Sequence, residues 1–334
     1  MSGTDTAVTV TGDLPRRVLA GRRRRLWAVA RVLAGAGILA LLIWRLGTGP
    51  FVDGIRTIDA WSLGAAFVIG VLTTVCCAWR WHLVSRGLGV GVPLRAAVPA
   101  YYRSLFLNTT LPGGVLGDVH RAVRHGREAG DVGAGVRAVA WERSAGQVVQ
   151  VALTVVVLLL LPSPVRGAMP LVALGVAAVA VLAILVSRTL PRSGPALWVR
   201  AMQTAGSDLR HGLLAQRAWP GIVLASALVV AGHAATFLIA ARTVGLSAST
   251  VHLLPIALIV LMAMAIPLSI GGWGPREGVA AWVFAMAGLG AAQGVATAVV
   301  YGVLSLVATL PGAVVLAVSW RRRDAVTARP AAHA

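Results

Sequence analysis

Asn108-Thr-Thr-Leu-Pro-Gly-Gly-Val-Leu-Gly117 is the stretch on which the fold turns. It cannot continue a helix, because proline removes a backbone donor and each glycine costs about 1 kcal/mol relative to alanine. Yet it lies in an apolar piece, Ala96–Leu116, whose two flanks are both rich in arginine. Arg80, Arg86 and Arg95 precede it, and Arg121, Arg124, Arg127 and Arg137 follow. Arginine-rich gaps stay on the cytoplasmic side of a membrane. A segment that starts and finishes on one side must dip in and come back, so Ala96–Asp118 is expected to be a re-entrant helical hairpin opening to the cytoplasm.

The membrane itself follows from the rest of the chain. Of 334 residues, 57% are hydrophobic and 12% charged, about half the charge of an ordinary soluble domain; the mean hydropathy is +0.81. Apolar runs recur at Leu26–Leu46, Trp61–Trp81, Val148–Leu161, Leu171–Val186, Gly221–Ala241, Leu253–Ile270 and Ala291–Trp320. About 20 apolar residues cross the hydrocarbon layer as a helix, and lipid supplies no partners for an open strand edge. The fold class is an all-α polytopic membrane protein. The formal net charge of +19 does not signal nucleic acid. All the basic residues are arginine, and they punctuate the gaps between apolar runs instead of forming one basic domain. The run after Arg25 is too long for a cleavable signal peptide, so residues 1–25 read as a basic cytoplasmic tail and 321–334 as a second one. A plasma membrane with both termini cytoplasmic is expected.

Tracing the spans exposes a second interruption, Gly271-Gly-Trp-Gly-Pro-Arg-Glu-Gly278, between Leu253–Ile270 and Val279–Leu289. For the last span to finish inside at Arg321–Arg323, this broken piece must start and end outside. The region 26–320 then divides into halves, about 26–162 and 163–320, each with the order span, span, broken hairpin, span. Three full spans per half make the second half inverted relative to the first, with about six full helices and two re-entrant hairpins in all. The rival topology makes both broken pieces full spans, eight in total. Interrupted segments at matching positions of inverted halves point to a transporter's central site.

Of eleven acids, only Asp118, Glu142 and Glu277 lie in or against apolar segments, where an ionisable group costs roughly 2.5–3.5 kcal/mol or more at a helix centre. Each has an arginine nearby in sequence: Arg121, Arg143 and Arg276. The plain structural reading is ion pairs that hold hairpins to spans. The functional reading adds the glycines. Gly113, Gly114, Gly271 and Gly272 allow the backbone to approach a ligand closely, helix N-termini face anions, and arginine presents a planar fork to phosphate. Arg103 and Asn108 sit within the first broken piece, and Asn108 could bind a ligand or cap the broken helix. His233, alone on an apolar helix, reads as bonded to a neighbouring helix. Gly35 and Gly37 read as close helix packing, and Cys76 and Cys77 as packing residues that point apart. No metal cluster, cofactor motif, Walker loop or His-Glu-x-x-His is present, and the chain is not expected to be an enzyme.

Tyr102-Arg-Ser-Leu-Phe-Leu-Asn108, Leu111-Pro-Gly-Gly-Val-Leu-Gly-Asp-Val-His-Arg121, Glu142-Arg143 and Gly271–Gly278, in that order, resemble the lysylphosphatidylglycerol synthase transmembrane-region family, also called flippase-like. The resemblance covers about 26–320. Members of that family fused to an aminoacyl-transferase domain make and translocate aminoacylated phospholipid, and stand-alone members are implicated in handling lipid-linked substrates. No transferase domain is expected after the last span. The resemblance therefore implies translocation or handling of an anionic lipid or lipid-linked substrate. From the two inverted breaks and their buried charge, the head group is expected to be held among Arg103, Arg121 and Arg276. The alternatives are an intramembrane transferase, or a non-catalytic partner of a cell-envelope synthase that docks through Arg188–Arg217.

Overall fold

A computed structural model of the chain describes residues 29–30, 33–111, 114–168, 170–172, 174–175, 177–178, 181, 185, 197–265 and 273–327. Gly113, Gly271, Gly272, the N-terminal tail 1–25, residues 328–334 of the C-terminal tail and most of the span expected at Leu171–Arg188 lie outside the described residues. Helix α1 (Leu33–Leu46) stops at Gly47, whose φ of +75° turns the chain. Pro50 then opens α2 (Gly49–Arg56), which leaves at 95° to α1. A proline is tolerated in a helix's first turn because its missing donor would have no partner there.

Helix α3 (Ala60–Gly87) starts where the Asp59 carboxylate accepts from the Ser62 amide at 2.8 Å. Hydrogen bonding from Ser62 holds that carboxyl below the usual carboxylate range. Helix α6 (Val132–Leu160) starts in the same way, with Asp131 accepting from Ala134 at 2.8 Å. At 28 and 29 residues, each is about 42 Å long at 1.5 Å per residue, enough to cross a hydrocarbon core of about 30 Å. Helix α8 (Trp219–Thr243) and the run Ala291–Arg321 are also span-length. That run takes in α11 (Ala291–Thr309) and the first part of α12 (Pro311–Thr327), joined at Leu310. The described residues thus hold four spans, or five if α1 and α2 are one bent span. Their large side chains face outward: Leu72 is 60% exposed, Val148 68% and Leu160 72%. In water such faces would be unstable, and in lipid they are satisfied.

Both interrupted segments are pairs of short helices. The first pair is α4 (Leu94–Thr110) and α5 (Leu116–Glu128), and the second is α9 (Thr250–Ala263) and α10 (Pro275–Met286). A further short helix, α7 (Leu197–Asp208), continues as one π-helical turn to Leu213.

In each case the second short helix lies tight against the span that follows, through glycine. A Cβ on Gly135 of α6 would stand 2.6 Å from the Gly126 Cα of α5, and one on Gly294 of α11 would stand 2.4 Å from the Ala280 carbonyl oxygen of α10. Helix α3 packs on α8, and α11 packs on α2, α3 and α8. The largest buried cluster joins α8, α9, α10 and α11 around Phe237, Ile256, Phe284 and Leu304. A second surrounds Trp81 and Tyr101. Gly35 packs against Gly274, whose Cβ would meet its Cα at 3.0 Å, whereas nothing lies within 4 Å of a Cβ on Gly37. Both cysteines are free.

Candidate functional site

At the first break, Asn108 is a staple. Its Nδ2 donates to Asp118 Oδ2 at 3.0 Å, and its Oδ1 accepts from the Gly117 amide at 2.8 Å. One side chain at the end of α4 thereby satisfies an orphan donor at the start of α5. Ser104 of α4 adds a hydrogen bond to Asp118 Oδ1 at 2.9 Å. Gly117 has to be glycine, because a Cβ there would stand 2.0 Å from the Ser104 carbonyl oxygen. Gly114, next to the break, has φ +63°, a conformation that glycine adopts without strain. Arg103 is buried on α4.

Behind this turn lies a buried ionic centre. The Glu142 carboxylate of α6 is fully buried and accepts from Arg80 Nε at 2.9 Å, Tyr101 Oη at 3.1 Å and Arg121 Nη2 at 3.0 Å. Arg80 also gives Nη1 to Ser226 of α8 at 3.1 Å. Its guanidinium lies across Gly146, whose Cβ would meet Nη1 at 2.7 Å. Arg121 also pairs with Asp118 at 3.0 Å. Its guanidinium carbon stands 4.5 Å from the Trp81 ring centroid and 4.2 Å from that of Tyr101. Arg143 pairs with Asp118 Oδ2 at 2.6 Å.

Three guanidiniums thus share two carboxylates. Taking one partner from such a buried pair costs about 3–5 kcal/mol, so the set holds α3, α4, α5 and α6 together as one unit. The expected pairing of Asp118 with Arg121 is present. Glu142 pairs with Arg80 and Arg121, while the neighbouring Arg143 turns to Asp118. Glu142 and Arg143, consecutive on α6, turn to different partners, so proximity in sequence did not identify the partner here.

At the second break, Gly274 has φ +112° and its amide donates to Glu277 Oε2 at 2.7 Å. That bond caps α10 from its third residue, with Pro275 at the helix start. Arg276 Nε donates to Glu277 Oε1 at 2.8 Å, as the sequence suggested. Both residues are buried. The Arg276 guanidinium lies 4.8 Å from the Trp273 ring and 5.5 Å from the Tyr301 ring, and across Gly302, whose Cβ would meet Nη2 at 2.3 Å. The two centres share a construction: an acid near the start of the helix after the break, an arginine between aromatic rings, and a glycine on the packed span that leaves room for a guanidinium.

Between the centres is a cavity of about 310 Å³. Thr109, at the end of α4, and Met264 and Ala265, at the end of α9, all line it. The chain therefore approaches both breaks at the same cavity. Helix α6 contributes Arg143, Gly146, Gln147 and Gln150, and α3 contributes Thr73, Thr74 and Arg80. His233 and Tyr301 meet on the far wall, Nδ1 to Oη at 3.0 Å, so the expected helix-to-helix bond of His233 is made.

Of the residues singled out from sequence, Asn108, Asp118, Arg121, Glu142 and Arg143 form one connected network, and Arg276 and Glu277 form a second. Of these two networks only Arg143 lines the cavity, whereas Arg121 and Arg276 are not among its lining residues. Sequence reasoning missed Arg80, Tyr101, Gln147, Gln150, Ser226 and Tyr301. Arg80 resembled a span-end cytoplasmic charge, and the others are ordinary polar residues of apolar helices. The Arg143, Gly146, Gln147, Gln150 spacing, which fills one face of a helix, was the signal available. The Arg188–Arg217 stretch is described from residue 197. It is tied to α6 at Asp208, which accepts from Arg137 Nε at 2.9 Å and Trp141 Nε1 at 3.1 Å.

A family model described as the lysylphosphatidylglycerol synthase TM region matches residues 28–312. No curated protein matches the chain.

Proposed function

This chain belongs to the lysylphosphatidylglycerol synthase TM region family, and from that premise we propose that it passes the head group of an anionic lipid, or of a lipid-linked substrate, through the cavity between its two broken segments. Membership makes it a multi-pass membrane protein of lipid metabolism; translocation is the finer reading. The observation that carries it is the cavity wall. A chamber with Arg80 and Arg143 on its otherwise largely apolar wall sits among helices of span length. Charge at membrane depth is expensive and marks substrate pathways. An anionic head group would offset that cost while its tails remain in lipid.

The proposed architecture is two inverted halves with re-entrant hairpins. Helices α9 and α10, of 14 and 12 residues, fall short of the 17 or so residues a span needs, which favours hairpins over an eight-span topology. The arginine-rich gaps support a plasma membrane location with both termini cytoplasmic. Translocation needs no bond to be made or broken, so the proposed role is not enzymatic.

The test is reconstitution of the purified protein in liposomes that carry labelled anionic lipids. Label should redistribute between leaflets faster than in protein-free vesicles, and Arg143→Ala should slow it. No redistribution above the protein-free rate across the lipid panel refutes the proposal.

A further inference from the structure

Among the described residues that line the cavity, His233 is the only histidine, and imidazole is the side chain whose charge ordinarily changes between about pH 5 and 8. We propose that His233 is a proton site coupled to passage: its ring takes up a proton as a lipid phosphate enters the cavity and returns it as the phosphate leaves. This rests on the proposed function and adds to it a driving force, a proton gradient.

Position comes first. His233 is on α8 (Trp219–Thr243), about 21 Å along the helix from its start at 1.5 Å per residue, and so near the middle of the hydrocarbon layer. A polar ring at that depth is costly, yet His233 is exposed and lines the cavity. Its Nδ1 is bonded to Tyr301 Oη at 3.0 Å. That helix-to-helix bond uses one nitrogen only, and Nε2 is left to the cavity. Ionisable groups inside a membrane mark ion pathways and proton relays.

The groups around the ring decide when it carries charge. Helix α6 presents Arg143, α3 presents Arg80 and the Cys77 thiol, and the hydroxyls of Tyr101 and Tyr301 come from α4 and α11. From α9 and the residues directly after it come Leu261, Met264 and Ala265, none of which titrates. Arg276 of α10 stands behind Tyr301, 5.5 Å from its ring. No aspartate or glutamate lines the cavity among the described residues. The carboxylates of the first centre are already paired, Glu142 with Arg80 and Arg121, and Asp118 with Arg121 and Arg143. Without a ligand, an imidazolium there faces two guanidiniums and gains no anion, and like charges repel most strongly at low dielectric. A phosphate in the same space is the missing anion and reverses the balance. By linkage, the phosphate favours the proton by the same factor as the proton favours the phosphate.

The step is a proton transfer alone. Hydronium from water in the cavity protonates the neutral ring, and the imidazolium then has N–H on both nitrogens, one on Tyr301 Oη and one toward the phosphate. On release the proton returns to water. Tyr301 serves both states, because its hydroxyl donates to a bare Nδ1 and accepts from Nδ1–H. When uptake and release occur on opposite sides of the membrane, the proton crosses with the lipid.

The experiment is the leaflet assay run under a pH gradient. The purified full chain is reconstituted in phosphatidylcholine vesicles with tail-labelled phosphatidylglycerol, and with the other anionic lipids of the panel in parallel. Protein-free vesicles under the same gradient give the baseline. At equal pH, label should settle evenly between the leaflets. With a difference of one pH unit it should accumulate on the alkaline side, toward a ratio of about ten, the limit for one proton per lipid. His233→Gln, which keeps a polar side chain beside Tyr301, should bring that ratio back to even, and a trapped pH dye should report proton entry with the wild type alone. A wild-type ratio that stays even under the gradient overturns the inference and leaves translocation standing, a result that needs no variant to fold. A ratio that answers to an imposed membrane potential in place of the pH gradient overturns it as well. A displaced ratio in His233→Gln gives the coupling to another group and overturns the assignment. Redistribution of no lipid at any pH overturns the proposed function together with this inference.

Discussion

Glu142→Gln asks whether the buried centre at the first break is held by charge or by shape. The native side chain is fully buried and accepts from Arg80, Tyr101 and Arg121. Glutamine keeps nearly the same volume and one acceptor oxygen, so the packing change is small. The lost charge is not replaced. Arg80 is left with no carboxylate, and Arg121 retains only Asp118. Stranding a buried ion costs about 3–5 kcal/mol, against a total stability of about 5–15 kcal/mol for a typical fold. At about 2–4 °C per kcal/mol for a medium-sized domain, the unfolding midpoint should fall by roughly 6–20 °C. Intrinsic fluorescence of the protein in nanodiscs reads this, with Trp81 reporting from the Arg121 ring contact. Adding Arg80→Gln removes one stranded cation. The double variant should therefore be less destabilised than the sum of the two single variants by at least about 1 kcal/mol. A fall of less than about 2 °C for Glu142→Gln, or strict additivity of the pair, would refute the electrostatic account.

Three further outcomes are expected. Gly117→Ala drives a methyl into the Ser104 carbonyl oxygen at 2.0 Å, where neither backbone can yield; it should cost about 1–3 kcal/mol or more by overpacking and raise amide exchange across α4 and α5, while Gly37→Ala, with nothing within 4 Å, should be neutral or stabilising by about 0.5–1 kcal/mol. Gly302→Ala displaces the Arg276 guanidinium, 2.3 Å from the new Cβ, and should quench leaflet redistribution by more than it lowers the unfolding midpoint, provided that the second centre shapes the cavity. Asn108→Ala strips the staple between α4 and α5; a loss of about 1–3 kcal/mol and rapid hydrogen exchange at the Gly117 amide should report it.

The membrane class was legible because lipid imposes a one-dimensional rule: enough consecutive apolar residues, with arginine between them, predicts spans without reference to any contact. Both breaks were legible for the same kind of reason. Proline and glycine clusters act on the local backbone, and α4–α5 and α9–α10 are interrupted where Pro112 and Gly271–Gly274 stand in the chain. The acids at Asp118, Glu142 and Glu277 were found because a carboxylate in an apolar run is costly wherever it goes. Arg80 escaped notice because arginine at a span end is the commonest positive-inside signal, and only the inward turn of its side chain made it a partner of Glu142.

Sequence alone therefore determined the helical membrane class, the places where helices must stop, and which charges had to be compensated, since each follows from local energetics. Tertiary structure decided which charges meet and which face the cavity. Those depend on the rotation of each helix about its axis and on close approaches at Gly117, Gly146 and Gly302, where side chains from distant parts of the chain compete for one buried volume. That competition sets Glu142 on Arg80 and Arg121, and leaves Arg143 paired with Asp118 on the cavity wall.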